Sequence, residues 1–230
     1  MEPLPDVATW KTLYRLAGIA SIVMVAIILV EGPILILWPP PGFLPTVKNV
    51  LDWFAIFTSY GLRGLLDLDI LLVVAYAFSA LVYLALYIAL RRTNESRALI
   101  AVVISLIGIV VYFNTNPAFS MLMLAAQYGR SNPVEKSQLV STDAALLANY
   151  QGTAFNVSYI LGGIANLLFA LLMLRSKVFG RATAYTGLAM GVLMLIPPTA
   201  GGIALTISVI SLLPTLAWNV LIARRFLRVT

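Results

Sequence analysis

The stretch Asn156–Ile196, NVSYILGGIANLLFALLMLRSKVFGRATAYTGLAMGVLMLI, decides the fold. Two long apolar runs flank a short linker, RSKVFGR, whose only charges are Arg175, Lys177 and Arg181. A soluble domain has no use for apolar runs of that length. A bilayer needs roughly 20 apolar residues per spanning helix and retains basic residues on its cytoplasmic side. The stretch reads as a transmembrane hairpin with its turn in the cytoplasm, and the rest of the chain repeats the plan.

Composition points the same way. Hydrophobic residues make up 61% of the 230 and charged residues only 10%, with a mean hydropathy of +0.96. Soluble domains carry about 25% charged residues, so this is a polytopic membrane chain. No polar stretch exceeds about 30 residues, whereas a domain needs at least ~50; residues 1–230 are expected to form one integral membrane domain. The net charge of +6 comes from short basic clusters between apolar runs, a placement that orients a membrane protein and argues against nucleic acid. There is no cysteine and no histidine. Disulfides, thiolate nucleophiles, Cys/His zinc sites, haem with His or Cys ligation and His proton relays are therefore excluded. The N-terminal MEPLPDVATWKTLYR is acidic and then basic, and the apolar run after it is too long for a signal-peptide core. It reads as a retained first helix.

Six spans follow, over about 13–37, 65–90, 98–123, 152–174, 182–196 and 203–223, giving an all-α six-helix bundle. The first ends at Trp38 and Pro39–Pro41. The segment Phe43–Gly64 mixes charges with Trp53, Phe54, Phe57 and Tyr60 on one face, the pattern of an interfacial helix. A second outer segment, Gln127–Tyr150, contains the turn signal GRSNP and then STDAALLANYQG, read as a helix capped by Ser141 or Thr142. This arrangement puts Lys11, Arg15, Arg91, Arg92, Arg97, Arg175, Lys177, Arg181, Arg224, Arg225 and Arg228 inside, and only Lys48, Arg63, Arg130 and Lys136 outside. Both termini are thus expected in the cytoplasm. A five-helix rival with one kinked span over Tyr185–Ile210 would leave the last basic cluster outside.

With depth assigned, polar residues fall on stripes. Glu31 lies in the outer third of the first helix, beside Gly32 and Pro33. Asp67 and Asp69 open the second, with Tyr76, Tyr83 and Tyr87 continuing below. Ser105, Gly108, Tyr112 and Asn116 recur at three and four residues on the third; Asn149, Thr153, Asn156, Tyr159, Gly163 and Asn166 do so on the fourth. Ser208, Ser211, Thr215 and Asn219 mark the sixth, near Pro214. Stripes of this kind face the interior of a bundle and point to a polar cavity open to the outside. The candidate ligand-binding residues are Glu31, Asp69, Tyr76, Tyr112, Asn116, Asn156, Tyr159 and Asn166.

Each feature also has a plainer reading. Glu31 is close to the interface, and Asp67 and Asp69 suit the N-terminus of a helix. Asn and Ser stripes serve as interhelical hydrogen bonds of about 0.6 kcal/mol each. The glycosylation patterns at Asn94 and Asn156 fall in a cytoplasmic turn and at a helix start. There is no Ser/His or Cys/His pair, no phosphate loop and no HExxH motif. No catalytic residue, cofactor or resident metal is expected, although Glu31, Asp67 and Asp69 are the set a divalent-cation enzyme would use.

LYRLAGIASIVMVAII (13–28) and SKVFGRATAYTGLAMGVLMLIP (176–197) resemble a bacterial family of uncharacterised multi-pass membrane proteins, domain of unknown function 4386. The resemblance implies a bacterial inner-membrane protein and brings no catalytic residues with it. The expected function is binding of a small or lipidic ligand in the bundle, for transport or sensing. The alternatives are a structural or assembly subunit of a membrane complex and the divalent-cation-dependent enzyme. Expected partners are the lipid bilayer and that ligand, with a second copy or a membrane-complex partner as a further candidate, and no nucleic acid.

Overall fold

The computed structural model describes residues 2–37, 40, 42 and 46–228. These form α1 (Val7–Leu37), α2 (Val47–Ser59), α3 (Gly61–Asp67), α4 (Ile70–Leu90), α5 (Glu95–Thr115), α6 (Ala118–Tyr128), α7 (Pro133–Tyr150), α8 (Thr153–Arg175), α9 (Arg181–Leu193) and α10 (Gly202–Leu227). A 3-10 turn, Pro198–Ala200, precedes α10, and no strand occurs among the described residues. Trp38, Pro39, Pro41 and Phe43, read as the outer end of the first span and the start of the next segment, lie outside the described residues.

Five helical stretches are long and apolar enough to cross a membrane: Val7–Ile34, Ile70–Leu90, Glu95–Tyr128, Pro133–Arg175 and Gly202–Leu227. The 13 residues of α9 rise only ~20 Å, short of the ~30 Å hydrocarbon core. Tyr185–Ile210 is not one helix, because α9 stops at Leu193 and the Pro197-Pro198 pair intervenes.

The long helices form a closed ring. Neighbour contacts run from α1 to α4, α5, α8, α9 and α10, and from α10 back to α1. Packing is tightest where side chains vanish. A Cβ on Gly163 of α8 would lie 3.0 Å from the Gly191 carbonyl oxygen of α9, and one on Gly191 would lie 3.0 Å from the Gly163 carbonyl. In hydrocarbon there is no hydrophobic drive between helices, so close van der Waals contact of this kind is what joins them.

One end of the ring collects the basic residues. The Asp6 carboxylate takes Arg91 at 2.9 Å and Arg92 beside it. The Arg225 guanidinium donates to the Val178 carbonyl at 2.8 Å and to the Glu2 carbonyl. The N-terminal segment, the α4–α5 turn, the α8–α9 turn and the end of α10 are therefore tied together. At the other end, α2, α3, α6 and α7 form a second cluster around Val50, Trp53, Phe54, Phe57, Met121 and Leu147.

Several expectations need correction here. Trp53, Phe54 and Phe57 are buried against this cluster, and Tyr60 is 69% exposed and parts from them. That face is turned into the protein, packed on α6 and α7. The helix after GRSNP starts at Pro133, not at Ser141 or Thr142: Asn132 and Glu135 form a capping box around Pro133. The Ser141 and Thr142 hydroxyls instead donate to the Ser137 and Gln138 carbonyls one turn back. The expected third span breaks at Asn116, whose backbone is extended because Pro117 follows it. The second span starts at Ile70, so Asp67 ends α3 and Asp69 sits in the left-handed region (φ 56°) with no capping bond. The first helix starts earlier than expected, at Val7, and the fifth ends earlier, at Leu193.

Candidate functional site

All six ring helices wall one cavity of about 770 Å³, within the ~300–1,000 Å³ usual for small-molecule sites. Along α10 its lining runs from Leu205 to Asn219, a rise of ~21 Å. The cavity is long, mostly apolar, and polar at its two ends.

The mouth is made where three helices break. Between α3 and α4 stand Asp67 and Asp69; between α7 and α8 stand Tyr150 and Gln151. The third break, Asn116-Pro117, closes the set from behind. The Asn116 amide donates to the Leu68 carbonyl at 2.7 Å, and its oxygen accepts from the Ala118 N–H at 3.1 Å. The Tyr150 hydroxyl donates to the Asp69 carboxylate. These bonds satisfy backbone and carboxyl groups that a broken helix would leave bare in a dry setting.

Among the described residues lining the cavity there are two carboxylates and no lysine or arginine. Asp67, its side chain 1% exposed, pairs through Oδ2 with Arg63 at 3.3 Å, while its Oδ1 is buried without a partner. Both acids precede the span that opens at Ile70. Burial pushes the Asp67 carboxyl up against the pull of Arg63, and pushes Asp69 up to about 6 against the pull of the Tyr150 hydroxyl. Below them runs an aromatic wall. Tyr76 stacks on Tyr112 at 4.0 Å between ring centroids, and Phe155 packs among Tyr112, Tyr150 and Tyr159 at 5.9–6.3 Å.

The floor is neutral. The Tyr83 hydroxyl donates to Asn166 Oδ1 at 3.2 Å, and Asn166 Nδ2 reaches Met194 Sδ at 3.7 Å. Asn219 Nδ2 donates to the Thr215 carbonyl at 2.9 Å, which leaves its Oδ1 unpartnered. The Trp218 indole N–H is also unpartnered, although the residue is only 4% exposed. Gly187 makes room for it, since a Cβ there would fall 2.8 Å from Trp218 Nε1.

Of the expected ligand-binding residues, Asp69, Tyr76, Tyr159 and Asn166 line the cavity. Tyr112, Asn116, Asn156 and Glu31 do not. Tyr112 is fully buried and backs Tyr76. Asn116 holds the helix break. Asn156 accepts from the Thr199 hydroxyl, and Thr199 is the member of that pair that faces the cavity. Glu31 lies beside the start of α4, near the Leu72 amide and within the field of Asp69; its Oε1 is buried without a partner. Tyr87 turns away toward Glu95. Among the described residues no three acidic side chains come together as metal ligands.

Sequence reasoning missed Tyr150, Phe155 and Trp218. Tyr150 and Phe155 flank Gly152, the expected start of the fourth span, and Phe155 and Tyr159 are one turn apart. Trp218 stands next to Asn219, one step off its polar stripe.

The family model described as a domain of unknown function, DUF4386, matches residues 55–226. The chain belongs to this family. The match takes in α4 to α10 and the SKVFGRATAYTGLAMGVLMLIP motif, while LYRLAGIASIVMVAII in α1 lies outside it. No curated protein and no solved structure matches this DUF4386 chain.

Proposed function

We propose that this DUF4386 chain is a single integral domain of a bacterial inner membrane that binds a small or lipidic ligand in the ring cavity, for transport or sensing. The observation that carries this reading is a cavity of about 770 Å³ walled by six helices and lined by Asp69, Tyr76, Tyr159 and Asn166. A space of that size between bundle helices, mostly apolar with a few polar side chains, has the form of a small-molecule site. The end that carries the basic clusters is the cytoplasmic end, with both termini, and the mouth faces outward. The short α9 makes the sixth crossing together with Met194–Ala200, and the cluster of α2, α3, α6 and α7 lies at the outer interface.

The test is a density map of the protein in lipid nanodiscs, paired with mass spectrometry of what solvent extraction releases. Ordered non-protein density between Tyr76 and Trp218 is expected, together with a molecule that Ala75→Trp, filling the cavity, no longer retains. An empty cavity and identical extracts from the two proteins would refute the reading.

A structural or assembly subunit is the second reading. It draws on the stripe residues that already join helices: Tyr83 with Asn166, Tyr159 with Ser208 and Asn156 with Thr199. Reproducible co-purification of a partner that persists in the filled variant would favour it. The divalent-cation enzyme has no comparable support, because the acids are not grouped around one point.

A further inference from the structure

The charge and aromatic pattern at the mouth selects which ligands the cavity can accept, a selection that rests on the cavity being a ligand site at all. An anion entering it would meet the Asp69 carboxylate, with Asp67 already paired to Arg63 and no lysine or arginine among the described lining residues. Glu31, beside Asp69, adds a third acid just outside the lining. A metal ion is poorly served, since the three acids do not converge and the walls are mostly apolar.

The aromatic groups complete the pattern. Tyr112 covers one face of Tyr76, and Tyr76 also lines the cavity, so its second face is open to an occupant. Phe155 and Tyr159 line the same level, stacked on each other at 6.2 Å. Ring faces beside a carboxylate are the surroundings that attract an organic ammonium group. The rest of the cavity offers an apolar channel toward Trp218.

We propose that the ligand is an amphiphilic organic cation, with its ammonium group at the mouth against Asp69, Tyr76 and Phe155 and its apolar chain directed along α10 toward Trp218. An ammonium group on an apolar chain has two sources: a free amphiphilic amine or quaternary ammonium compound, and an aminolipid from the bilayer. The phosphate of an aminolipid would find no cationic partner among the described lining residues, so the free amine fits better.

Native mass spectrometry of the full chain, released from maltoside micelles, tests this. The probes are decyltrimethylammonium, the chain-matched neutral decyl glucoside and anionic decyl sulfate, and lysophosphatidylethanolamine. The ammonium probe is expected to form a one-to-one complex at least tenfold tighter than the glucoside or the sulfate. Asp69→Asn should weaken that complex at least fivefold and leave the glucoside unchanged; an amide oxygen can still accept from Tyr150. Tight binding of the lysolipid with the same dependence on Asp69 would assign the ammonium to a membrane lipid, and its absence to a free amine.

Equal binding of ammonium and glucoside probes, or ammonium binding indifferent to Asp69→Asn, overturns the inference. If Ala75→Trp abolishes binding of all probes without any charge preference, the cavity is a ligand site and only the cation assignment fails. If no probe responds to Ala75→Trp or to a second filler, Ser211→Phe, both readings fall.

Discussion

Asp6 shows how much one side chain can tie together. It sits in the left-handed region (φ 50°), which Asp and Asn tolerate, and its carboxylate joins the N-terminal segment to Arg91 and Arg92 at the α4–α5 turn. The Arg91 hydrogen bond, larger than the opposing effect of desolvation, holds the Asp6 carboxyl below its usual value. A carboxylate depressed on folding stabilises above its unfolded value of about 3.9, and that contribution is lost as pH falls through the folded value. Asp6→Asn should therefore melt below the wild type at pH 7, and the gap should close in acid; a gap constant from pH 7 to pH 3 would show that charge is not the cause. Asn116 makes a different kind of link, by geometry alone. Asn116→Ala strands the Leu68 carbonyl and the Ala118 N–H, and thermal unfolding should register a loss of about 1–3 kcal/mol. Asn116→Asp keeps the acceptor but turns a carboxylate oxygen toward the Leu68 carbonyl, and should lose at least as much as Asn116→Ala. Asn116 was legible in the sequence as a member of a polar stripe, but its role was not. Stripe position tells which way a residue faces, and only the break at Pro117 turns it toward another helix's carbonyl.

At the scale of elements, five of the six ring helices could be read from hydropathy, because a 20-residue apolar run has few alternatives, while the 13 residues of α9 are too few for that reading. The cluster of α2, α3, α6 and α7 could not. Trp53, Phe54 and Phe57 form an apolar face that a membrane surface and a neighbouring helix satisfy equally well; the choice rests on α6, which was hidden inside an expected single span. The α8–α9 contact depends on the opposite kind of residue. Gly163 and Gly191 place backbone against backbone, and neither helix has room for a branched side chain there. Gly163→Leu is expected to cost about 1–3 kcal/mol through overpacking and to prise α9 from the ring. Gly202→Leu, where a Cβ meets nothing within 4 Å, is its control. Equal melting temperatures for the two variants would mean that the glycine contact does not hold α9.

At the scale of the whole molecule, orientation is the largest statement still open to direct measurement, and the sequence helps by having no cysteine. Single cysteines at Lys177 and Arg224 should react with a membrane-impermeant maleimide only in inverted vesicles, and one at Lys136 only in intact cells. Labelling of Lys177 and Lys136 from the same side would break the six-crossing arrangement. The cavity itself was legible as a convergence of stripes, yet its apolar character was not, since Met194, Leu212 and Val209 carry no pattern that separates lining from lipid-facing residues. Its floor has a spectroscopic consequence. The chain has four tryptophans, and among the described ones Trp218 alone lines the cavity. Its emission is therefore tuned by whatever fills that space: red-shifted when the floor is wet, blue-shifted when an alkyl chain displaces the water. The protein carries its own fluorophore at the bottom of its cavity, and with the other three tryptophans changed to phenylalanine it would report occupancy in real time without any label.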